Sequence, residues 1–272
     1  MNMKKATVIV GIVVGALLLG AVALGVLNAV FAGGAWSFGW NDYTYDDSGY
    51  SVGEGTLYAT ELTHIDLDWV DGRVEILACE DRYPSLSETC PNELTQESLV
   101  HWRISEDGKT LSVKYRASSK FFGSGENKNK NLILRVPKAM LGDLKQVSVH
   151  SVTASVVLSG ISAERLEISS SSGVLLLDNC KAKNVSLSSV SGQIDASFEN
   201  VPESIVTDNV GGETALAIPR DAGFSLGFET KRGGEPLLDF STVQKDGRWI
   251  CGDGKCRIDA KSVKGGLRVT YP

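Results

Sequence analysis

The sequence predicts an all-β fold, a single-stack parallel β-solenoid of roughly 19–20-residue rungs preceded by one transmembrane helix. Three observations lead there. A motif of fixed internal spacing recurs along the chain, apolar and polar residues alternate within it, and a long uncharged apolar segment lies near the start.

The clear copies of the motif are Ile65-Leu67-Val70-Gly72-Val74-Ile76, Val147-Val149-Val152-Ala154-Val156-Leu158 and Leu166-Ile168-Ser171-Gly173-Leu175-Leu177. They continue as Val185-Leu187-Val190-Gly192-Ile194-Ala196, Ile205-Thr207-Val210-Gly212-Thr214-Leu216 and Ile258-Ala260-Val263-Gly265-Leu267-Val269. Alternation of period two sends one set of side chains inward and the other outward, so each half of the motif is a short strand. Gly72, Gly173, Gly192, Gly212 and Gly265 sit at the break as turn residues, where glycine tolerates positive φ. Stacked in register, Val147, Leu166, Val185 and Ile205 form one inner ladder, and Leu158, Leu177, Ala196 and Leu216 form another. An antiparallel meander is the competing arrangement, but hairpins do not require their neighbours to be copies.

The domain runs from 61 to 272, with a long insertion from 79 to 145. The insertion holds a hairpin, His101–Ile104 with Thr110–Tyr115, a strand at Leu132–Val136, and a Gly- and Asn-rich loop around Gly123–Asn129. The stretch Leu226-Phe228-Gly233-Leu237 is a degraded copy, followed by an irregular excursion containing Trp249, Cys251 and Cys256.

Residues 6–32 carry no charge and are long enough to cross the ~30 Å core of a bilayer with some tilt. Lys4 and Lys5 precede them within a stub of residues 1–5, and the next charges are Asp42, Asp46 and Asp47. The positive-inside rule keeps the stub in the cytoplasm and places the domain outside the cell membrane. A cleaved signal peptide is the alternative, with Val30-Phe31-Ala32 as its cleavage site; the apolar core is about twice the usual ~7–15 residues. Residues 33–60 form a Gly- and aromatic-rich linker, whose Trp36 and Trp40 read, with Lys4 and Lys5, as membrane-interface residues.

Without Lys4 and Lys5, 25 basic residues face 33 acidic ones, a net charge of −8, which argues against nucleic acid as a partner. Cys79 with Cys90, and Cys251 with Cys256, bracket two loops and are candidate disulfides in an oxidising compartment; Cys180 is left over. A zinc site from the same four lacks Cys-x-x-Cys spacing and nearby histidine.

Catalytic chemistry is hard to find. His64, His101 and His150 are far apart, and no nucleophile elbow, phosphate loop or His-Glu-x-x-His is present. Asp66 and Asp68 share one strand face with Asp71 at the turn, which suits Ca²⁺ or glycoside cleavage but reads more simply as a solvated face. In later rungs the residues read as outward are Ser169, Ser170, Ser186, Ser188 and Ser189, a small polar surface. No catalytic residue, cofactor or metal is expected.

Leu134-Arg135-Val136-Pro137-Lys138, Val190-Ser191-Gly192-Gln193-Ile194, Ile218-Pro219-Arg220-Asp221-Ala222-Gly223-Phe224 and Val263-Lys264-Gly265-Gly266-Leu267-Arg268-Val269 together resemble the bacterial putative-adhesin family, a β-strand-repeat domain of unknown function. The resemblance covers about Glu61 to Pro272 and implies a cell-envelope protein with a part in adhesion or envelope sensing. The expected partners are the lipid bilayer through residues 6–32, an envelope protein or glycan, and other copies of the chain, as a homo-oligomer.

Overall fold

The structure, a computed structural model, describes residues 43–119, 129–232 and 234–272. The predicted anchor at 6–32 lies outside them, as do Lys4, Lys5, Trp36 and Trp40. No helix among the described residues is long and apolar enough to cross a membrane. The chain divides into a unit of Met1–Ser48 with Ser118–Ser124 and a unit of Gly49–Ala117 with Gly125–Pro272. In the first, Tyr43 and Ser119 form an antiparallel bridge. The second carries the repeats.

Each repeat gives its first strand to one parallel ladder and its second strand to another. The first ladder runs Thr110–Lys114, His64–Trp69, Gln146–Ser151, Ser162–Ser170, 181–189, Ser204–Asn209, Cys256–Ser262 and Phe224–Thr230. The second runs Asn131–Pro137, Arg73–Cys79, Ser155–Ser159, 175–180, Ile194–Phe198, Thr214–Ala217, Leu267–Thr270 and Leu237–Leu238. The inner rows are those the spacing predicts: Val147, Leu166, Val185 and Ile205 stand in register, as do Leu158, Leu177, Ala196 and Leu216, all of them buried. A buried aliphatic side chain of this size contributes about 1.5–3 kcal/mol, so the stacked rows are the main source of cohesion.

Spatial order departs from chain order at both ends. The insertion 79–145 supplies a rung of its own, Thr110–Lys114 with Asn131–Pro137, which lies outside the 64–79 rung. At the far end the 256–270 rung sits between 204–217 and 224–238. The stretch read as a degraded copy is therefore an outermost rung. Antiparallel strands follow the parallel rungs at each end: His101–Ile104 and Ser51–Val52 beside the first ladder, Ser85–Thr89 and Gly55–Thr56 beside the second, and Arg248–Cys251 with Val243–Lys245 at the opposite pole. Short terminal strands of this kind limit uncontrolled edge pairing.

The displaced final rungs are held by Arg248. Its guanidinium lies across Gly227 to reach Asp259 Oδ1 at 2.7 Å, and it also donates to Ser225 Oγ at 2.7 Å, Ser225 O at 2.8 Å and Ile258 O at 2.9 Å. A Cβ on Gly227 would stand 2.6 Å from the guanidinium, so the glycine makes the crossing possible. Arg248→Ala is expected to lower the unfolding free energy by about 1.5–3 kcal/mol, the usual range for hydrogen bonds to a charged group. A urea denaturation midpoint unchanged from the parent would contradict this role.

The turn glycines stack in a column, but for a different reason from the one the sequence suggests. Only Gly72 among the five has positive φ, at 93°. At Gly173, Gly192, Gly212 and Gly265 a Cβ would fall 1.8, 1.9, 2.0 and 1.7 Å from the carbonyl oxygens of Ala154, Gly173, Gly192 and Gly212 respectively. Close approach of one turn to the next requires glycine there. A second column supports it from three residues upstream. Ser170 Oγ accepts from Gly173 N at 2.9 Å, Ser189 Oγ from Gly192 N at 2.8 Å, and Asn209 Oδ1 from Gly212 N at 3.0 Å. Ser170 and Ser189, read from the sequence as outward, are thus buried; the strand bends into the turn there and their hydroxyls cap it.

The pole formed by the insertion is closed by a buried lysine. Lys130 Nζ lies 2.8 Å from Glu88 Oε2 and donates to Ser98 O at 2.6 Å and Tyr115 O at 2.5 Å. The ring centroids of Trp69 and Tyr115 are 5.0 and 4.8 Å from the same nitrogen. Glu88 Oε1 accepts from Val100 N at 2.8 Å, and Trp69 Nε1 donates to Lys130 O at 3.0 Å. Burial pushes the lysine pKa down, while Glu88 opposes the shift.

Candidate interaction surface

The outward residues of the first ladder form three rows. One passes through Thr110, His64, Gln146, Arg165, Asn184, Ser204 and Arg257. The next passes through Ser112, Asp66, Ser148, Glu167, Ser186, Val206 and Asp259. The third passes through Lys114, Asp68, His150, Ser169, Ser188, Asp208 and Lys261. Ser169, Ser186 and Ser188 give small polar side chains near the middle of this face, with Arg165 and Glu167 beside them. Strands about 4.8 Å apart repeat those groups at a constant interval, which suits contact with an extended partner.

Asp66 and Asp68 share the face as the alternation predicts, but Asp71 does not join them. It accepts from Asn129 N at 2.9 Å and from Thr153 Oγ1 at 2.7 Å, fixing the turn. Asp68 is buried against Lys114, which donates to its Oδ2. A carboxylate neutralised in this way is poorly suited to bind a cation or to attack. Among the described residues no group of three or more His, Cys, Asp or Glu could hold a metal ion. The histidines stay dispersed. His64 Nδ1 is 2.8 Å from Thr63 Oγ1, His150 Nδ1 is 2.8 Å from Ser169 Oγ, and His101 is buried beside Leu99 O.

Burial lowers the His150 pKa below its ordinary 6.5; Asp66 and Glu167 oppose the shift and Lys114 adds to it. The unfolded chain then takes up this proton before the folded one. Stability contributed by neutral His150 is present above pH 6.5 and is lost as pH falls from there to the folded value. Asp68, raised above 3.8 by burial against the pull of Lys114, acts in the opposite sense: the folded state takes up its proton first as pH falls toward 3.8. We expect the urea midpoint to fall on acidification from pH 7 through 6.5, and His150→Gln to flatten that part of the curve. An identical curve for the variant would exclude His150 as its source.

The predicted disulfides do not fit the register. Cys79 pairs with Pro137, whereas Cys90 follows Thr89, which pairs with Asn131, at the opposite end of the same strand. Seven residues of strand separate them by about 23 Å. Phe224 pairs with Cys251 on one side and Cys256 on the other, leaving a whole strand between those two thiols. Two interstrand spacings, about 9.5 Å, exceed the ~7 Å Cα limit for a disulfide. Sequence proximity misled here because the Gly252–Lys255 loop straddles Gly223 rather than closing a hairpin.

A shallow groove of about 410 Å³ lies at the other corner, with Ala78 and Leu141 in its floor. Lys138 and Lys181 line it, each already paired, with Glu80 and Glu199 respectively.

Stacked parallel strand pairs, a polar outer face and a glycine column define the class: an all-β repeat protein. Residues 142–270 match the family model described as Toastrack DUF4097. The structure is similar to that of a putative cell adhesion protein from Clostridium sporogenes, with 12% identity over 82% of this chain and 100% of that one and a TM-score of 0.51. It is also similar to a putative adhesin from Bacteroides fragilis, at 14% identity, 82% and 97% coverage and a TM-score of 0.33. A third is a putative lipid binding protein from Parabacteroides distasonis, at 11%, 83% and 98%, and 0.33. At such identities the likeness concerns the fold alone, and only the first carries weight. No curated protein matches the sequence.

Proposed function

We propose that this chain is a non-enzymatic binding module of the cell envelope. In this reading residues 6–32 anchor it in the membrane, its N-terminus is cytoplasmic, and a single-stack β-solenoid is displayed outside for adhesion or envelope sensing. The observation that carries the reading is the outer face of the first ladder, where Ser169, Ser186 and Ser188 present small polar groups at ladder spacing. The one carboxylate pair there is spoilt for catalysis by Lys114. The family resemblance and the similar cell adhesion fold support binding over turnover. The partner is an envelope protein or glycan.

Crosslinking the full-length protein in intact cells, followed by mass spectrometry, tests it. A specific envelope partner should be recovered, and Ser188→Arg, a bulky charge at the centre of the face, should deplete it at least about tenfold. Recovery of the protein alone would instead favour a structural role by self-association, a reading that the exposed Val52, Tyr58, Leu237 and Val243 near the terminal strands support. Turnover of an envelope glycan that Asp66→Asn abolishes would overturn both.

A further inference from the structure

The outer face of the second ladder differs from that of the first. On four adjacent strands the alternation of apolar and polar residues gives way to continuous apolar runs: Leu132-Ile133-Leu134, Ile76-Leu77, Val156-Val157-Leu158 and Val174-Leu175-Leu176-Leu177. Leu134, Ile76, Leu158 and Leu177 stand in register in the core, which turns Ile133, Leu77, Val157 and Leu176 outward. Farther along the ladder alternation returns with Asp195 and Ser197. An apolar run in a short strand is the mark of a strand covered on both faces. Yet Val174 is 42% exposed, and Ile133, Leu77 and Leu176 are half-buried.

The charges around this patch say what covers it. One row across the four strands reads Arg135, Leu77, Ser159, Asp178. Its two ends carry opposite charge, three interstrand spacings or about 14 Å apart. Among the described residues neither end is in an ion pair: Arg135 donates to Ser87 Oγ at 3.4 Å and Asp178 accepts from Ser159 Oγ at 3.2 Å. Glu75, inside the patch, is neutralised by Arg73 on the same strand.

We propose that this face is a homodimer interface and that a second copy of the chain covers it. A two-fold axis parallel to the strands, passing between Arg73–Cys79 and Ser155–Ser159, reverses the order of strands in the facing copy. Arg135 then meets the second copy's Asp178, twice by symmetry, and Ile133 meets the second copy's Leu176. A two-fold axis along the ladder would bring Arg135 to the Asn131 row and leave both charges unpaired, so charge complementarity selects the first. Two sheets packed in this way lie about 10 Å apart with nearly aligned strands, and the contact is isologous and closed. The proposal is independent of what the first ladder binds.

Sedimentation of the full-length protein in neutral detergent tests it, with circular dichroism and a urea midpoint to show that each variant is folded. The parent should be a dimer. Arg135→Glu and Asp178→Arg should each weaken it at least about tenfold by placing like charges together, and the double exchange should restore it. Leu176→Glu should give a folded monomer. A parent that stays monomeric, single variants that dimerise like the parent, or a double variant no tighter than the singles would each overturn the proposal. A monomer that partitions onto phosphatidylcholine vesicles through Leu176 would assign the patch to lipid instead.

Discussion

Replacing Lys130 by methionine is expected to lower the unfolding free energy by about 3–5 kcal/mol, the cost of stripping one partner from a buried ion pair. The ammonium donates to the carbonyls of Ser98 and Tyr115 and lies in an ion pair with Glu88 Oε2. Removing it leaves the Glu88 carboxylate charged and without its counter-ion beneath Trp69 and Tyr115. Methionine fills much of the space, so the loss reports on charge rather than volume. Adding Glu88→Gln should recover most of it, because the amide oxygen can still accept from Val100 N while the charge is gone. Guanidinium titration followed by the fluorescence of Trp69 and its neighbours measures both. A single variant as stable as the parent would mean that the pair contributes nothing to closing this pole.

Gly192→Ala, at the middle of the glycine column, should be strongly damaging. The new methyl would stand 1.9 Å from Gly173 O and 2.8 Å from its carbonyl carbon. Those are backbone atoms of the neighbouring rung, so relief requires the two rungs to part. The expected loss is at or above the upper end of the about 1–3 kcal/mol typical of overpacking. Hydrogen exchange locates the damage: amides of 175–180 and Ile194–Phe198 should lose protection before those of Arg73–Cys79. Uniform loss across all strands would place the strain elsewhere.

The paired strands and inner rows were legible because repetition of side-chain type at fixed offsets has few solutions other than parallel stacking. Membership of the Asp66 and Asp68 face was legible for the same reason. Four features were not. Order within the stack depends on which rungs pair across the insertion, and the motif is identical in every order. The burial of Lys130 has no local signal, since it follows a polar stretch and its partners come from residues 88, 98 and 115. The capping residues had a signal three residues before the turn glycine, at Ser170, Ser189 and Asn209, but alternation alone assigned the two serines outward. The cysteines were judged by separation along the chain, which a strand lying between them makes irrelevant.

The interleaved final rungs constrain how the molecule is made. Residues 224–238 leave the ribosome, or any translocation pore, before residues 256–270, but they rest on them. A nascent chain therefore cannot complete this end in order of appearance. It must hold the earlier segment, with Phe224 and Leu226 exposed, until the later one has slid in beneath. Through that interval the 204–217 rung ends the growing stack with an open edge, which makes this the stage of biogenesis at which a chaperone or a neighbouring nascent chain would engage it.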